Sequence, residues 1–224
     1  MSDHTDGHRD RLRARFVSAG PDALADYELL ELFLFRSIPR RDVKPLAKDL
    51  IAAFGDFAHV LAAPVERLIE VKGISERIAI DIKTAHAMAL RAGKHTLAQN
   101  PVIGSWHILL DYVQTALAAE GREQFRVLFL DKKNRLIADE KQAQGTVDHA
   151  AAYPREVMRR ALELSASAVI LVHNHPSGDP TPSVADVDLT KNVVQAGRAL
   201  SIAVHDHLIV GKGDVVSLKA LGLI

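Results

Sequence analysis

The sequence predicts a small all-helical domain over residues 1–95, followed by a mixed-sheet α/β domain over residues 102–224. Three observations lead there. The first part carries apolar residues at helical spacing, with Asp, Gly and Pro at the expected element ends. The second alternates strand-like apolar runs with helical patterns after a single hairpin, an order that builds a mixed sheet with helices packed on it. Between them, Gly93-Lys-His-Thr-Leu-Ala-Gln-Asn-Pro101 is polar and aperiodic and reads as a linker, with His95 solvated in it.

Composition narrows the function classes. Lys plus Arg and Asp plus Glu number 28 each, so no bulk charge draws the chain to nucleic acid or membrane. There is no cysteine. That excludes disulfides and thiolate metal sites, leaves His and carboxylate as metal ligands, and agrees with a cytoplasmic location. No apolar leader opens the chain and no run of about 18 apolar residues occurs, so neither a secretory signal nor a membrane span is expected.

The helical part is taken in order. Arg9, Arg11, Arg13 and Arg15 form a basic stretch, either the solvated face of a first helix or a phosphate-contacting arm. Asp26 is placed to cap a helix from Tyr27 to Phe35 whose apolar residues are dense enough for a core element. Ile38-Pro39 ends it. A helix is expected over Asp42 to Phe54, with Pro45 in its first turn and Gly55 just past its end. Asp56 caps a short piece ending at Ala63, and Pro64 suits the first position of the next helix. At Leu68-Ile-Glu-Val-Lys-Gly-Ile-Ser-Glu-Arg-Ile-Ala79 a helix ends, a tight turn follows, and a new helix begins near Ser75. This stretch resembles a helix-hairpin-helix, whose turn would offer backbone N–H groups of Lys72, Gly73 and Ser75 to a nucleic-acid phosphate. The alternative is a purely structural hairpin packing Val71 and Ile74. Ser75 stands where the pattern has a second glycine.

In the second part, Gly104 to about Glu120 is helical. Strands 125–131 and 135–140 flank the turn Lys132-Lys-Asn134, where Asn can take positive φ. A helix from Pro154 to Leu164, a strand 168–173, a helix 184–200, a strand 202–210 and a short strand near Val215-Val216 complete the order. The apolar, β-branched run Ala168-Val-Ile-Leu-Val172 leads into His173-Asn174-His175. Alternation along a strand sends the two imidazoles to one side and Asn174 to the other. Pro176, Gly178, Pro180 and Pro182 then force a loop. Ser183 with Asp186 three residues on is a capping-box pattern opening the next helix. His173, His175 and Asp186 can thus converge on one metal. Three protein ligands with a fourth position open is the arrangement of a catalytic zinc, one ion per chain.

His-x-His, seven residues, Ser, two residues, Asp resembles the signature of the JAMM (JAB/MPN+) metallopeptidases. With Tyr153-Pro154-Arg155-Glu156 upstream and Asp206-His207 downstream, the chain resembles the bacterial RadC family from about Asp6 to Ile224. The resemblance implies a JAMM-like zinc domain hydrolysing peptide or isopeptide bonds in a protein or peptide substrate. It places the general base, a Glu that is not a ligand, at Glu123, before the first strand. Glu140, at the expected end of the second strand, is the competitor. Ser183, besides capping its helix, would help stabilise the oxyanion on the attacked carbonyl.

A second His-x-His, His205 and His207, would share a face by alternation. The expectation here is no second metal, but a supporting role in which Asp206 or His207 orients a ligand imidazole. His59, His86, His107 and His149 lack partners at ligand spacing and read as structural or solvated. Two other functions remain open: a DNA-associated repair or recombination accessory using the hairpin, and an interaction module whose metal does not turn over. No oligomeric state follows from the sequence.

Overall fold

The computed structural model describes residues 6–144 and 152–224 and divides into two compact units, residues 1–88 and 89–224. Among the described residues, no helix is long and apolar enough to cross a membrane.

The first unit is helical: α1 (Asp6–Ala19), α2 (Asp26–Ser37), α3 (Lys44–Phe54), α4 (Phe57–Ala62), the one-turn α5 (Val65–Leu68) and the start of α6 (Glu76–Gln99). Its core joins Leu30, Leu34, Leu46, Leu50, Val60, Leu68, Ile78 and Ile82. The basic stretch of α1 is largely tied down within the unit. The Arg9 guanidinium donates to the carbonyls of Ile38 and Arg41 at 2.8 and 2.7 Å and lies over Phe35, while Arg15 pairs with Glu28. The cap of α2 is one residue earlier than expected. Ala25 holds the N-cap position, and its N–H donates to the Glu28 carboxylate at 3.0 Å, so Asp26 already lies in the first turn.

The expected linker is helix. α6 continues through Gly93 to Gln99 without a break. One glycine costs a helix only about 1 kcal/mol, and the other residues of this stretch are compatible with helix. Leu97, fully buried in the core of the second unit, rewards the continuation.

The second unit follows with α7 (Trp106–Leu117), β1 (Gln124–Leu130), β2 (Leu136–Gln144), α8 (Pro154–Glu163), β3 (Ala168–Asn174), α9 (Val184–Ala199), β4 (Ala203–Val210) and β5 (Val215–Ser217). The sheet order is β2-β1-β3-β4-β5, with only β3 and β4 parallel. Every residue of the central β3 is buried, which accounts for its unbroken apolar run. One face packs Leu128, Ile170, Val172 and Leu208 against Leu109, Val113 and Leu117 of α7. The other packs Phe125, Val127, Val169 and Leu171 against Val157 and Met158 of α8 and Val193 of α9. The result is an α/β unit with a mixed sheet, preceded by helices. Asn134 takes the anticipated positive φ, 57°, in the β1–β2 turn.

Two strand expectations need correction. β2 runs on to Gln144, because an edge strand tolerates a polar sequence such as Lys141–Gln144 that carries no apolar signal. Glu140 is therefore mid-strand, opposite Val127. The β3–β4 register slips between Val169–Val204 and Ile170–Asp206, leaving His205 in a bulge. The bulge breaks the alternation that made His205 and His207 a pair.

The burial of Leu97 yields a prediction. A fragment beginning at Ala89 should unfold cooperatively. One beginning at Pro101, which loses Leu97, should be less stable by about 2–5 kcal/mol, the usual cost of emptying a buried leucine site. Denaturant titration of both fragments checks this, and equal midpoints would show that the end of α6 adds nothing to that core.

Candidate metal centre

Three segments meet at the end of β3. His173 is buried as the last but one residue of the strand, and His175 follows it into the loop. The loop is anchored at two points in its first half. His175 N–H donates to Val210 O at 3.0 Å, and Lys212 N–H donates to Gly178 O at 2.8 Å. Gly178 sits at φ 88°, and a Cβ on Gly211 would fall 2.4 Å from Gly178 O, so this close approach requires glycine at both positions. Helix α9 then opens with Ser183 at the N-cap. The Asp186 N–H donates to Ser183 Oγ at 3.2 Å, and the Ser183 N–H donates back to Asp186 Oδ2 at 2.8 Å. This reciprocal cap turns the Asp186 carboxylate toward the histidines.

The converging atoms are His173 Nε2, His175 Nε2 and the Asp186 carboxylate. The two imidazole nitrogens are 3.0 Å apart; Asp186 Oδ1 lies 3.2 Å from His173 and Oδ2 lies 3.6 Å from His175. Ligands about 2.0–2.2 Å from a tetrahedral zinc stand about 3.3–3.6 Å from one another; the two ring nitrogens, and the carboxylate oxygen nearest each, lie close to that spacing, a geometry compatible with such an ion. His175 Nδ1 is 2.8 Å from the Asp179 carbonyl, which can only accept, so this nitrogen carries the hydrogen and Nε2 is the ligand nitrogen. Among the described residues this is the one cluster of three or more His, Cys, Asp or Glu able to hold a metal.

The electrostatics favour a cation. Burial works against a charged Asp186, but the facing imidazoles outweigh it and hold the carboxyl far below the usual carboxylate range. The Asp186 hydrogen bond in turn raises His175 above the ordinary imidazole value, against its partial burial. Around these groups, His173 Nδ1 is 2.8 Å from Nε2 of the fully buried His207, and His207 Nδ1 is 2.5 Å from Thr190 Oγ1. Burial pushes His207 well below the usual imidazole range, with His173 adding to the effect. The Phe125 ring stacks on His173, with centroids 6.1 Å apart.

Glu123 immediately precedes β1. Phe125 pairs with His173 in the antiparallel ladder, so Glu123, two residues before Phe125, enters β1 beside the strand end that carries His173. Its charge contributes to raising His175. Glu140 is elsewhere occupied. Both its oxygens accept from the Arg160 guanidinium, at 2.8 and 2.6 Å, which holds its carboxyl below the ordinary range. The Ser183 hydroxyl spends its hydrogen on Asp186 Oδ2 at 2.6 Å. Of the downstream pair, His207 joins the site and Asp206 does not: Asp206 accepts from Ser217 Oγ at 2.5 Å and Lys219 N at 3.1 Å. His205 bonds the Asn134 side chain at 2.7 Å, and His149 lies outside the described residues.

Two contributors escaped the sequence reading. Strand alternation says of Asn174 only that it points away from the histidines. There its Oδ1 accepts from Gln124 N at 2.9 Å and its amide donates to the carbonyls of Glu120 and Arg122 at 3.1 and 3.2 Å, pinning the segment that carries Glu123. Thr190 gave no signal, since a threonine inside a helix is ordinary.

Lys72, Gly73 and Ser75 are in the first unit, all exposed. Gly73 makes the turn before α6 at φ 101°, and Ile74 and Val71 pack into the helical core. The Arg41 guanidinium stands against the turn, where a Cβ on Gly73 would meet its Nη2 at 2.8 Å.

Comparison with known proteins agrees with this architecture. Residues 103–223 match the RadC-like JAB domain, and residues 7–80 match the UPF0758 N-terminal domain. A UPF0758 protein of Ruegeria pomeroyi is 58% identical over 222 residues, covering 99% of both chains. With the domain match spanning more than half the chain and the relative nearly all of it, the chain belongs to the RadC family.

Proposed function

We propose that the chain is a zinc-dependent hydrolase of peptide or isopeptide bonds, acting on a protein or peptide substrate. The observation that carries this reading is the convergence of His173 Nε2, His175 Nε2 and Asp186 within 3.0–3.6 Å, with the charge of Glu123, just before β1, acting on His175. A zinc ion bound there supplies a Lewis acid that polarises a carbonyl and acidifies a water. Glu123 takes the proton of the attacking water and passes it to the leaving amine. Asp186 and the two histidines hold the charge, and Ser183 fixes the Asp186 carboxylate. For Ser183 to reach an oxyanion as well, its hydroxyl must rotate off Asp186. An interaction module that does not turn over needs no carboxylate beside its metal ligands, so the position of Glu123 favours the hydrolase.

Elemental analysis of the purified chain should return about one zinc per chain, as expected for a single three-ligand site. His173→Ala and Asp186→Ala should each lose it while keeping the circular dichroism of the parent. Wild-type protein without divalent metal after zinc reconstitution would sink the assignment.

The base is tested separately. Glu123→Gln should keep zinc yet cut hydrolysis of a proteome-derived peptide and isopeptide pool by about 10²–10⁴-fold, the range of general acid–base catalysis. Glu140→Gln should retain hydrolysis and cost at most about 1 kcal/mol of stability from its partly exposed ion pair. The reverse pattern would move the base to Glu140.

The contact between Arg41 and the Gly73 turn supports a second reading, nucleic-acid binding by the first unit through Lys72, Gly73 and Ser75. If Arg41 meets a phosphate, Arg41→Ala should weaken binding of single-stranded and branched DNA and lower the salt slope by about 1. Absence of binding by the wild type at about 50 mM salt, where phosphate contacts are strongest, removes this reading.

A further inference from the structure

A hydrogen-bonded chain runs behind the first histidine and returns to the third ligand. It passes from His173 Nδ1 to His207 Nε2 at 2.8 Å, from His207 Nδ1 to Thr190 Oγ1 at 2.5 Å, and from Thr190 Oγ1 to the main-chain carbonyl of Asp186 at 2.5 Å. His207 and Thr190 are fully buried, so no water competes at these atoms.

Counting hydrogens gives the chain a direction. The Asp186 carbonyl can only accept, so the single hydroxyl hydrogen of Thr190 goes to it. Thr190 Oγ1 must then accept from His207, and His207 carries its hydrogen on Nδ1. In the neutral ring, Nε2 is left bare and accepts from His173 Nδ1–H. A neutral His173 so tied has its lone pair on Nε2, the nitrogen that faces His175 and Asp186. The opposite direction would leave a hydrogen on His173 Nε2 and no lone pair for a cation.

We propose that Thr190 and His207 are positioning residues: their relay sets the tautomer and ring orientation of His173 and thereby the zinc affinity of the site. This rests on the reading of His173, His175 and Asp186 as zinc ligands. The relay also links the strand that carries one ligand to the helix that carries another. Asp186 contributes its side chain to the site and its backbone carbonyl to the end of the relay.

The test uses the full-length chain and zinc, with a chelating dye as competitor. Thr190→Val keeps the shape and removes the hydroxyl, whereas Thr190→Ser keeps the hydroxyl. Loss of an outer partner of a ligating histidine typically costs about 10–100-fold in metal affinity. Thr190→Val should therefore bind zinc about 10–100-fold more weakly, and Thr190→Ser should stay within about threefold of the parent. Long-range 1H–15N correlation of the imidazoles should show His207 protonated at Nδ1 and bare at Nε2. Unchanged zinc affinity in Thr190→Val, or a hydrogen on His207 Nε2, would overturn the relay. A wild-type chain that binds no zinc would end the metal reading, and the His207 tautomer would then decide the relay on its own, with Nδ1–H keeping it and Nε2–H ending it.

Discussion

Atoms bearing lone pairs do not gather without positive charge between them, and the second unit of this chain is arranged around three that do. His173 Nε2, His175 Nε2 and the Asp186 carboxylate stand 3.0–3.6 Å apart at the end of the central strand. Such a cluster is unfavourable unless a proton or a metal ion occupies it, and desolvation sharpens the demand. The demand shows in the depressed carboxyl of Asp186 and the raised imidazole of His175. A divalent ion that accepts imidazole and carboxylate ligands would satisfy all three residues at once.

Holding the cluster takes backbone. β3 lies between β1 and β4 and is buried along its length, so the backbone of His173 is held on both sides. The His175 loop is stitched to the end of β4 by its own main chain, across the close approach of Gly178 and Gly211. The capping box at Ser183 fixes the first turn of α9 and aims Asp186, a cap of the kind worth about 1 kcal/mol to a helix. None of the three side chains is long and free, so a cation held by them would cost little conformational entropy.

The site's inner residues could be read in the sequence because they are close together in it. An apolar β-branched run ending in His-Asn-His, a loop dense in proline, and Ser with Asp at N3 are local signals with local physics, and the structure assembles His173, His175, Ser183 and Asp186 accordingly. What could not be read depends on register or on distance along the chain. The bulge at His205 is a slip between two strands, invisible in either strand alone, and it separates His205 from His207. The Thr190–His207 contact joins residues 17 apart, on a helix and a strand. Glu140 reads as a strand end because the residues after it in β2 carry little apolar signal, and only the ladder that pairs it with Val127 and continues to Gln144 shows it to be mid-strand. The stretch from Gly93 to Gln99 looked like a linker because its polar residues face solvent along a helix that buries Leu97.

The residue between the two histidines completes the logic of the strand end. A two-residue alternation that sends His173 and His175 to one face sends Asn174 to the other, where a hydrophobic side chain would be the usual choice for a buried strand. Asn174 instead spends its amide on three backbone groups of residues 120–124. Those groups belong to the turn between α7 and β1, which would otherwise leave polar backbone atoms to be satisfied next to a buried strand. The same turn carries Glu123 into β1, so the strand end that holds His173 also fixes the segment that bears this carboxylate. An apolar residue at position 174 would leave the Gln124 N–H without its acceptor and loosen the turn, while both imidazoles kept their places. One tripeptide thus supports two separable tasks: the histidines place the charge-binding cluster, and the asparagine holds the segment that carries Glu123.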